Sequence, residues 1–235
     1  PLFLLDPPWS LMYSVAMDPL IIFDLDGTLA DTRADIAQAV NLTRRHFGLK
    51  PLGRDEIISY VGNGSRILME RSFHDCPETD TDEAARIFSR EYARFPVQET
   101  RLYPGVRDGL EKMFEKNCVM AVLSNKPGDL SRQVVDMLGL ARFFIRIIGG
   151  GDLARLKPDP SGIYEMIRSA NQIGLDIDPE RTWMVGDHHT DLDTARNAGV
   201  ASVFCSYGFG RKEGRPFTFQ ADDFSDLLTI AGCAR

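Results

Sequence analysis

The stretch Ile21-Ile-Phe-Asp-Leu-Asp-Gly-Thr-Leu-Ala-Asp-Thr32 decides the fold. Four apolar residues, Leu20 to Phe23, run directly into Asp24 and Asp26, with Asp31 close behind. A run apolar at every position, not at alternate ones, is the signature of a strand buried on both faces, as in a parallel sheet. No Lys or Arg precedes Arg33, so carboxylates at the end of a buried strand have no cation nearby in sequence. Carboxylates at short range repel one another, and the cation that offsets them must come from elsewhere in the fold or from solution.

Similar short apolar runs recur at 118–124, 143–148, 182–186 and 201–205, each bounded by Gly, Pro, Asp or Asn. Helical patterns separate the later ones, at 127–139, 160–173 and 189–198. Strand and helix in alternation predict an α/β fold with a doubly wound parallel sheet. About ninety residues separate the first two strands, far more than the roughly 2–6 of an ordinary βα loop. That interval carries helical spacing at 33–47, 53–60, 64–74 and 80–94 and no convincing strand. The expected organisation is an N-terminal extension at 1–17, a core of 18–32 and 103–235, and an inserted all-helical domain at 33–102.

The chain has 235 residues, 43% of them hydrophobic and 26% charged, with a formal net charge of −7. An acidic balance argues against a general nucleic-acid binder. No apolar run approaches the roughly 18 residues that span a bilayer, and residues 1–17 lack the basic start of a signal peptide. Cys76, Cys118, Cys205 and Cys233 are widely spaced and form no CxxC pair, as expected of reduced cytoplasmic thiols. The expectation is a cytoplasmic protein, a monomer or homodimer, whose partner is a small molecule.

In an open parallel sheet, ligands sit beyond the carboxyl ends of the strands. The predicted strands end there in Asp24 and Asp26, in Ser124-Asn125-Lys126, and in Asp187, with Asp191 four residues on; Lys157 follows the 143–148 run. Asp24 and Asp187 are candidates to share one Mg²⁺, a hard cation suited to carboxylates, water and phosphate. A carboxylate can attack phosphorus as a nucleophile, and Lys157 and the Ser124 hydroxyl can balance phosphoryl oxygens. Asp26 can give a proton to a leaving alcohol and take one from water.

"DLDGT" (24–28), "SNK" (124–126), "KPDP" (157–160) and "GDHHTD" (186–191) resemble, in order, the four signature motifs of the haloacid dehalogenase superfamily. The resemblance spans about residues 18–231. It implies Asp24 as nucleophile and Asp26 as acid/base with its backbone carbonyl on Mg²⁺. It implies Ser124 and Lys157 on the phosphoryl group, Asp187 as metal ligand, and Asp191 as a metal-shell or Lys157-orienting residue. Thr28 and Asn125, in the same motifs, join the expected substrate-binding set. His188 stands where the fourth motif usually carries Ser or Thr. Asp26 favours phosphate-ester chemistry over dehalogenation within the superfamily.

Within the helical interval, "YVGNGSRILMERSF" (60–73) is similar to the cap of phosphoglycolate phosphatases. That resemblance implies 2-phosphoglycolate as substrate; backbone N–H groups around Gly62, Asn63 and Gly64 at a helix start are candidate donors to its carboxylate, and Arg66 a candidate source of charge. Other capped phosphatases or mutases of the superfamily, acting on sugar phosphates or pyrophosphate, are the near alternative. A phospho-aspartate signalling switch is the alternative of another class.

Overall fold

β1 (Leu20–Phe23) occupies the middle of the sheet, and its two neighbours are strands from distant parts of the chain. The computed structural model describes residues 19–177 and 179–230, so the expected extension at 1–17 lies outside the described residues. After β1 come β2 (Ala30–Asp31), α1 (Arg33–His46), α2 (Arg54–Ile58), α3 (Ser65–Ser72), α4 (Thr81–Arg94) and β3 (Arg101–Leu102). The chain then alternates through α5 (Val106–Glu115), β4 (Val119–Pro127), α6 (Gly128–Met137), β5 (Arg146–Gly150) and α7 (Ser161–Gln172). It closes with β6 (Thr182–Gly186), α8 (His189–Ala198), β7 (Ala201–Cys205), β8 (Phe219–Ala221) and α9 (Asp226–Ile230).

The six-stranded sheet has the order β5-β4-β1-β6-β7-β8, and every pairing in it is parallel. From β1 the chain builds outward through β4 and β5, then returns to the other side of β1 with β6. The order therefore reverses at β1, and a crevice opens at the carboxyl ends of β4, β1 and β6. Successive side chains of a strand point to opposite faces. Leu20 and Ile22 join Ile163 and Met166 of α7 and Ala195 of α8 in one core. Ile21 and Phe23 join Leu110, Leu130, Val134 and Phe224 in the other. Both faces are covered, which is why the run reads as continuously apolar.

The α/β fold and the parallel sheet are as expected, and the predicted runs 182–186 and 201–205 coincide with β6 and β7. Three local differences have physical causes. Phe143 and Phe144 are apolar because they plug the core beneath α6, so strand β5 starts only at Arg146. β8 was not expected: it is a three-residue edge strand whose first two residues are exposed, too short to show a periodic pattern. A short antiparallel pair, Ala30 with Leu102 and Asp31 with Arg101, joins the two crossings into the helical segment.

Between those crossings lie four helices, α1 to α4, and the interval ends in the two-residue strand β3, which its helical spacing did not announce. Asp80 caps α4 by accepting from the backbone N–H groups of Asp82 and Glu83. Asp35, buried in α1, accepts from the N–H groups of Gln98, Glu99 and Thr100 and from the Thr100 hydroxyl. It thereby ties the returning crossing to the outgoing one. Arg44 is buried at 1% exposure and donates to the carbonyls of Lys50 and Ser72 and to both oxygens of Asp75.

Candidate active site

The crevice at the switch point is a cavity with two kinds of wall. The sheet side contributes Asp24, Asp26, Ser124, Asn125, Lys126, Lys157 and Asp187. The helical segment contributes Ile36, Ile58, Val61, Leu68 and Phe88, with Ser59, Gly62, Gly64 and Ser65. Phe209, Gly210, Arg211 and Glu213, from the loop after β7, complete the rim.

Lys157 supplies the cation that is absent near Asp24 in sequence. Its ammonium lies 2.8 Å from Asp24 Oδ1 and 2.6 Å from Asp191 Oδ1. Burial alone would pull its pKa down, but Asp191 and Asp24 outweigh that and push it up, so it is an ammonium. Asn125 holds the Lys157 peptide from both sides: its Oδ1 accepts from the Lys157 N–H at 2.8 Å and its Nδ2 donates to the Lys157 carbonyl at 3.0 Å. The same Nδ2 lies 2.9 Å from the carbonyl of Gly62, across the crevice.

Asp24, Asp187 and Asp191 each offer a carboxylate oxygen, all within 4.8 Å of one another, and all three residues are buried. Burial, partly offset by Lys157, raises Asp24 to about 6. Burial, followed by the charges of Asp24 and Asp191, raises Asp187 well above its ordinary value. Three buried carboxylates share one ammonium, so the cluster is short of positive charge. An all-oxygen donor set with that deficit fits a hard divalent cation. Asp187 sits in a pocket of missing side chains. A Cβ on Gly27, whose φ is +90°, would fall 1.9 Å from Asp187 Oδ2, and one on Gly208 would fall 2.4 Å from it. The Gly210 N–H donates to the same oxygen at 2.6 Å.

Asp26 lines the cavity but is not one of the three clustered carboxylates. It accepts from the Thr32 hydroxyl at 2.7 Å and from the Lys126 ammonium at 3.0 and 3.2 Å. Asp191 does two jobs at once: it binds Lys157 and accepts from the His188 N–H at 3.0 Å, closing a capping box at the start of α8. His188 uses its ring nitrogen to cap α8, and burial lowers its pKa to about 4, so it is neutral. The ring lies against Gly62, where a Cβ would meet it at 2.5 Å.

The expected site residues thus converge in large part. Asp24, Asp26, Ser124, Asn125, Lys157, Asp187, Gly62 and Gly64 all line the cavity, and Asp191 stands behind Lys157. Thr28, Asn63 and Arg66 are not among the lining residues. Thr28 is fully buried, and its carbonyl accepts from the Tyr207 hydroxyl. Asn63 accepts from Arg71. Arg66 is 62% exposed and pairs with Asp82 and Glu70. Besides Lys157, two cations among the described residues line the cavity: Lys126, inside the second motif, and Arg211, in the loop after β7.

The haloacid dehalogenase-like hydrolase family model matches residues 21–205. The chain belongs to the haloacid dehalogenase-like hydrolases. It is 34% identical over 230 residues to phosphoglycolate phosphatase 1 of Pseudomonas aeruginosa, covering 93% of this chain and 82% of that one. It is 37% identical over 202 residues to a phosphoglycolate phosphatase of Agrobacterium fabrum, with 84% of each chain covered. The crystal structure of a predicted phosphoglycolate phosphatase from Haemophilus somnus superposes with a TM-score of 0.80 at 27% identity, over 92% of this chain and 99% of that one. Within the family this is a phosphoglycolate phosphatase-like phosphoric monoester hydrolase. That membership weighs against the signalling-switch alternative. No helix of the described residues is long and apolar enough to cross a membrane.

Proposed function

We infer that the chain hydrolyses 2-phosphoglycolate to glycolate and phosphate, with Mg²⁺, through a phosphoryl group carried on Asp24. The observation that carries this reading is the Asp24 carboxylate, facing the cavity, held by Lys157 and grouped with Asp187 and Asp191. In this reading 33–102 is a helical cap over a core of 18–32 and 103–235, and closing it excludes bulk water.

Asp24 attacks phosphorus as the bond to the leaving oxygen breaks, and Asp26 gives that oxygen its proton. Water then attacks the phosphorus, Asp26 takes the water's proton, and the bond to Asp24 breaks to restore the carboxylate. Lys157 and the Ser124 hydroxyl meet the phosphoryl oxygens. Asp24, Asp187 and Asp191, with the Asp26 carbonyl, would hold the Mg²⁺, which when bound neutralises both the aspartates and the incoming phosphate. Asn125 fixes the Lys157 backbone, and the N–H groups at the start of α3 near Gly62 and Gly64, with Arg211, meet the substrate's carboxylate.

The names of the relatives support phosphoglycolate. One observation favours a second reading, another phosphate monoester with an uncharged leaving group: five apolar side chains of the helical segment line the cavity and offer that carboxylate no donor. Phosphate release decides between them. It is measured from 2-phosphoglycolate, sugar phosphates, pyrophosphate and p-nitrophenyl phosphate, in Mg²⁺ and in EDTA, with Asp24→Asn as control. Metal-dependent release fastest from phosphoglycolate, and abolished by Asp24→Asn, is expected. Faster turnover of another ester discards the substrate and keeps the chemistry. No release from any ester discards both.

A further inference from the structure

Lys126 is a buried cation to which the mechanism above gives no task. Its side chain is 4% exposed, and the carboxylate it pairs with is Asp26. On its other side lies the ring of Tyr92, from α4 of the helical segment, with the ammonium 4.1 Å from the ring centroid. Taking an ammonium out of water costs several kcal/mol per ion unless it is well paired, and an apolar residue often serves stability as well. A lysine needed only for the fold has no reason to be here. Asp26 is restrained from two directions, by Lys126 and by the Thr32 hydroxyl. Thr32 is the N-cap residue of α1, yet its side chain makes no capping bond and goes to Asp26 instead.

We propose that Lys126 is a positioning residue. It holds the Asp26 carboxyl where its proton reaches the leaving oxygen, and the Tyr92 ring sets where the ammonium sits. When the ester bond breaks, the proton passes from Asp26 to the leaving oxygen and Asp26 becomes a carboxylate, the form that an adjacent ammonium stabilises. The contact with Tyr92 makes proton delivery depend on the placement of the helical segment. This rests on the reading of Asp26 as the proton donor.

The leaving group provides the test. Nitrophenolate departs without a proton, whereas an alkoxide does not, and kcat/KM reports the steps up to that departure. The value is measured for wild type, Asp26→Asn, Lys126→Met and Tyr92→Leu on 2-phosphoglycolate, 2-hydroxyethyl phosphate and p-nitrophenyl phosphate. Asp26→Asn is expected to lose about 100-fold or more on both alkyl esters and far less on the nitrophenyl ester. Lys126→Met follows the same pattern, with about 10-fold or more lost on both alkyl esters and under about 3-fold on the nitrophenyl ester. Tyr92→Leu shows a smaller loss of the same shape, and it carries the test if Lys126→Met does not fold. Equal losses on all three esters overturn the proposal, and so does a loss confined to phosphoglycolate, which would make Lys126 a carboxylate binder. If Asp26→Asn shows the pattern and the other two variants do not, only the positioning role fails. If Asp26→Asn itself shows no difference between esters, the proton-donor reading fails and the positioning role falls with it.

Discussion

The Lys157 ammonium lies 2.8 Å from Asp24 Oδ1 and bridges that carboxylate to Asp191, although 133 residues separate Lys157 from Asp24. The pair puts a fixed positive charge against the residue read as nucleophile. Among the described residues no ammonium pairs with Asp187, a deficit that a bound cation would offset. Lys157→Met should cut phosphate release by about 100-fold or more, the scale of removing one preorganised electrostatic contact. Breaking a buried pair leaves charge uncompensated and costs about 3–5 kcal/mol. A bound cation offsets part of that deficit. Thermal melts should therefore show a larger Tm loss for the variant in EDTA than in Mg²⁺, and equal losses in the two would show that no cation serves the cluster.

Asp187 should respond to metal in the opposite sense. Its carboxylate is strained by burial and by two like charges, so Asp187→Asn should raise the Tm of the metal-free protein. The same change should remove the stabilisation that saturating Mg²⁺ gives the wild type, which is about 2.7 kcal/mol at 100 times Kd. Differential scanning fluorimetry across a Mg²⁺ titration reads both.

Gly27 should tolerate no side chain. Its φ of +90° is a conformation that L side chains rarely adopt, and an added methyl would overlap the Asp187 carboxylate. Gly27→Ala is expected to lower kcat by about 100-fold, since a misplacement on the scale of 1 Å at a reacting group has that cost. A Mg²⁺ titration of the variant should show weakened binding. Wild-type kinetics would mean that the close approach is not needed.

Arg66 and Arg211 separate two ideas of how the substrate carboxylate is met. Arg66 is exposed and paired on the surface, whereas Arg211 lines the cavity. Arg66→Ala should leave KM for phosphoglycolate within about 2-fold, since exposed ion pairs contribute little. Arg211→Ala should raise it about 10-fold, the worth of roughly one charge-assisted hydrogen bond. A KM that follows Arg66 would reverse the assignment.

Arg44 and Asp75 predict a pH effect in the helical segment. The hydrogen bonds from Arg44 hold Asp75 at about 2, below the ordinary 3.8. A carboxylate lowered in the folded state stabilises above its unfolded value and loses that contribution as pH falls towards the folded one. The Tm gap between wild type and Asp75→Asn should be full at pH 6 and shrink from about pH 4 downward. Arg44→Met, which strands the buried carbonyl of Ser72 and removes the donor to the Lys50 carbonyl, should cost about 2–4 kcal/mol at neutral pH. A gap independent of pH would mean that the pair is not formed in solution.

Much of the core and most of the chemistry were legible because each signal is local. Leu20–Phe23 and Thr182–Gly186 announce buried strands by burying both faces, and Asp24, Ser124 and Asp187 stand at strand ends, where a parallel sheet gathers ligands. Phe219–Ala221 was not legible, since an edge strand with exposed residues has no pattern to show. The pair Ala30–Leu102 was not legible either, because two residues are too few for any periodicity.

The alternation of strand and helix, the chemistry-bearing ends of β1, β4 and β6 and the long helical interval were determined by the sequence alone, through local apolar patterning and short motifs. Only the tertiary structure decided which charges meet. Lys126 lies two residues from Ser124, yet its partner Asp26 is 100 residues away and its ring contact is on α4. Arg66 and Arg211 each follow a Gly-containing turn and neither declares its partner locally. Packing turns one to the surface pair with Asp82 and the other to the cavity. Side-chain charge interacts across space, at distances set by the crossing of helices over a sheet, and no local stretch encodes that distance.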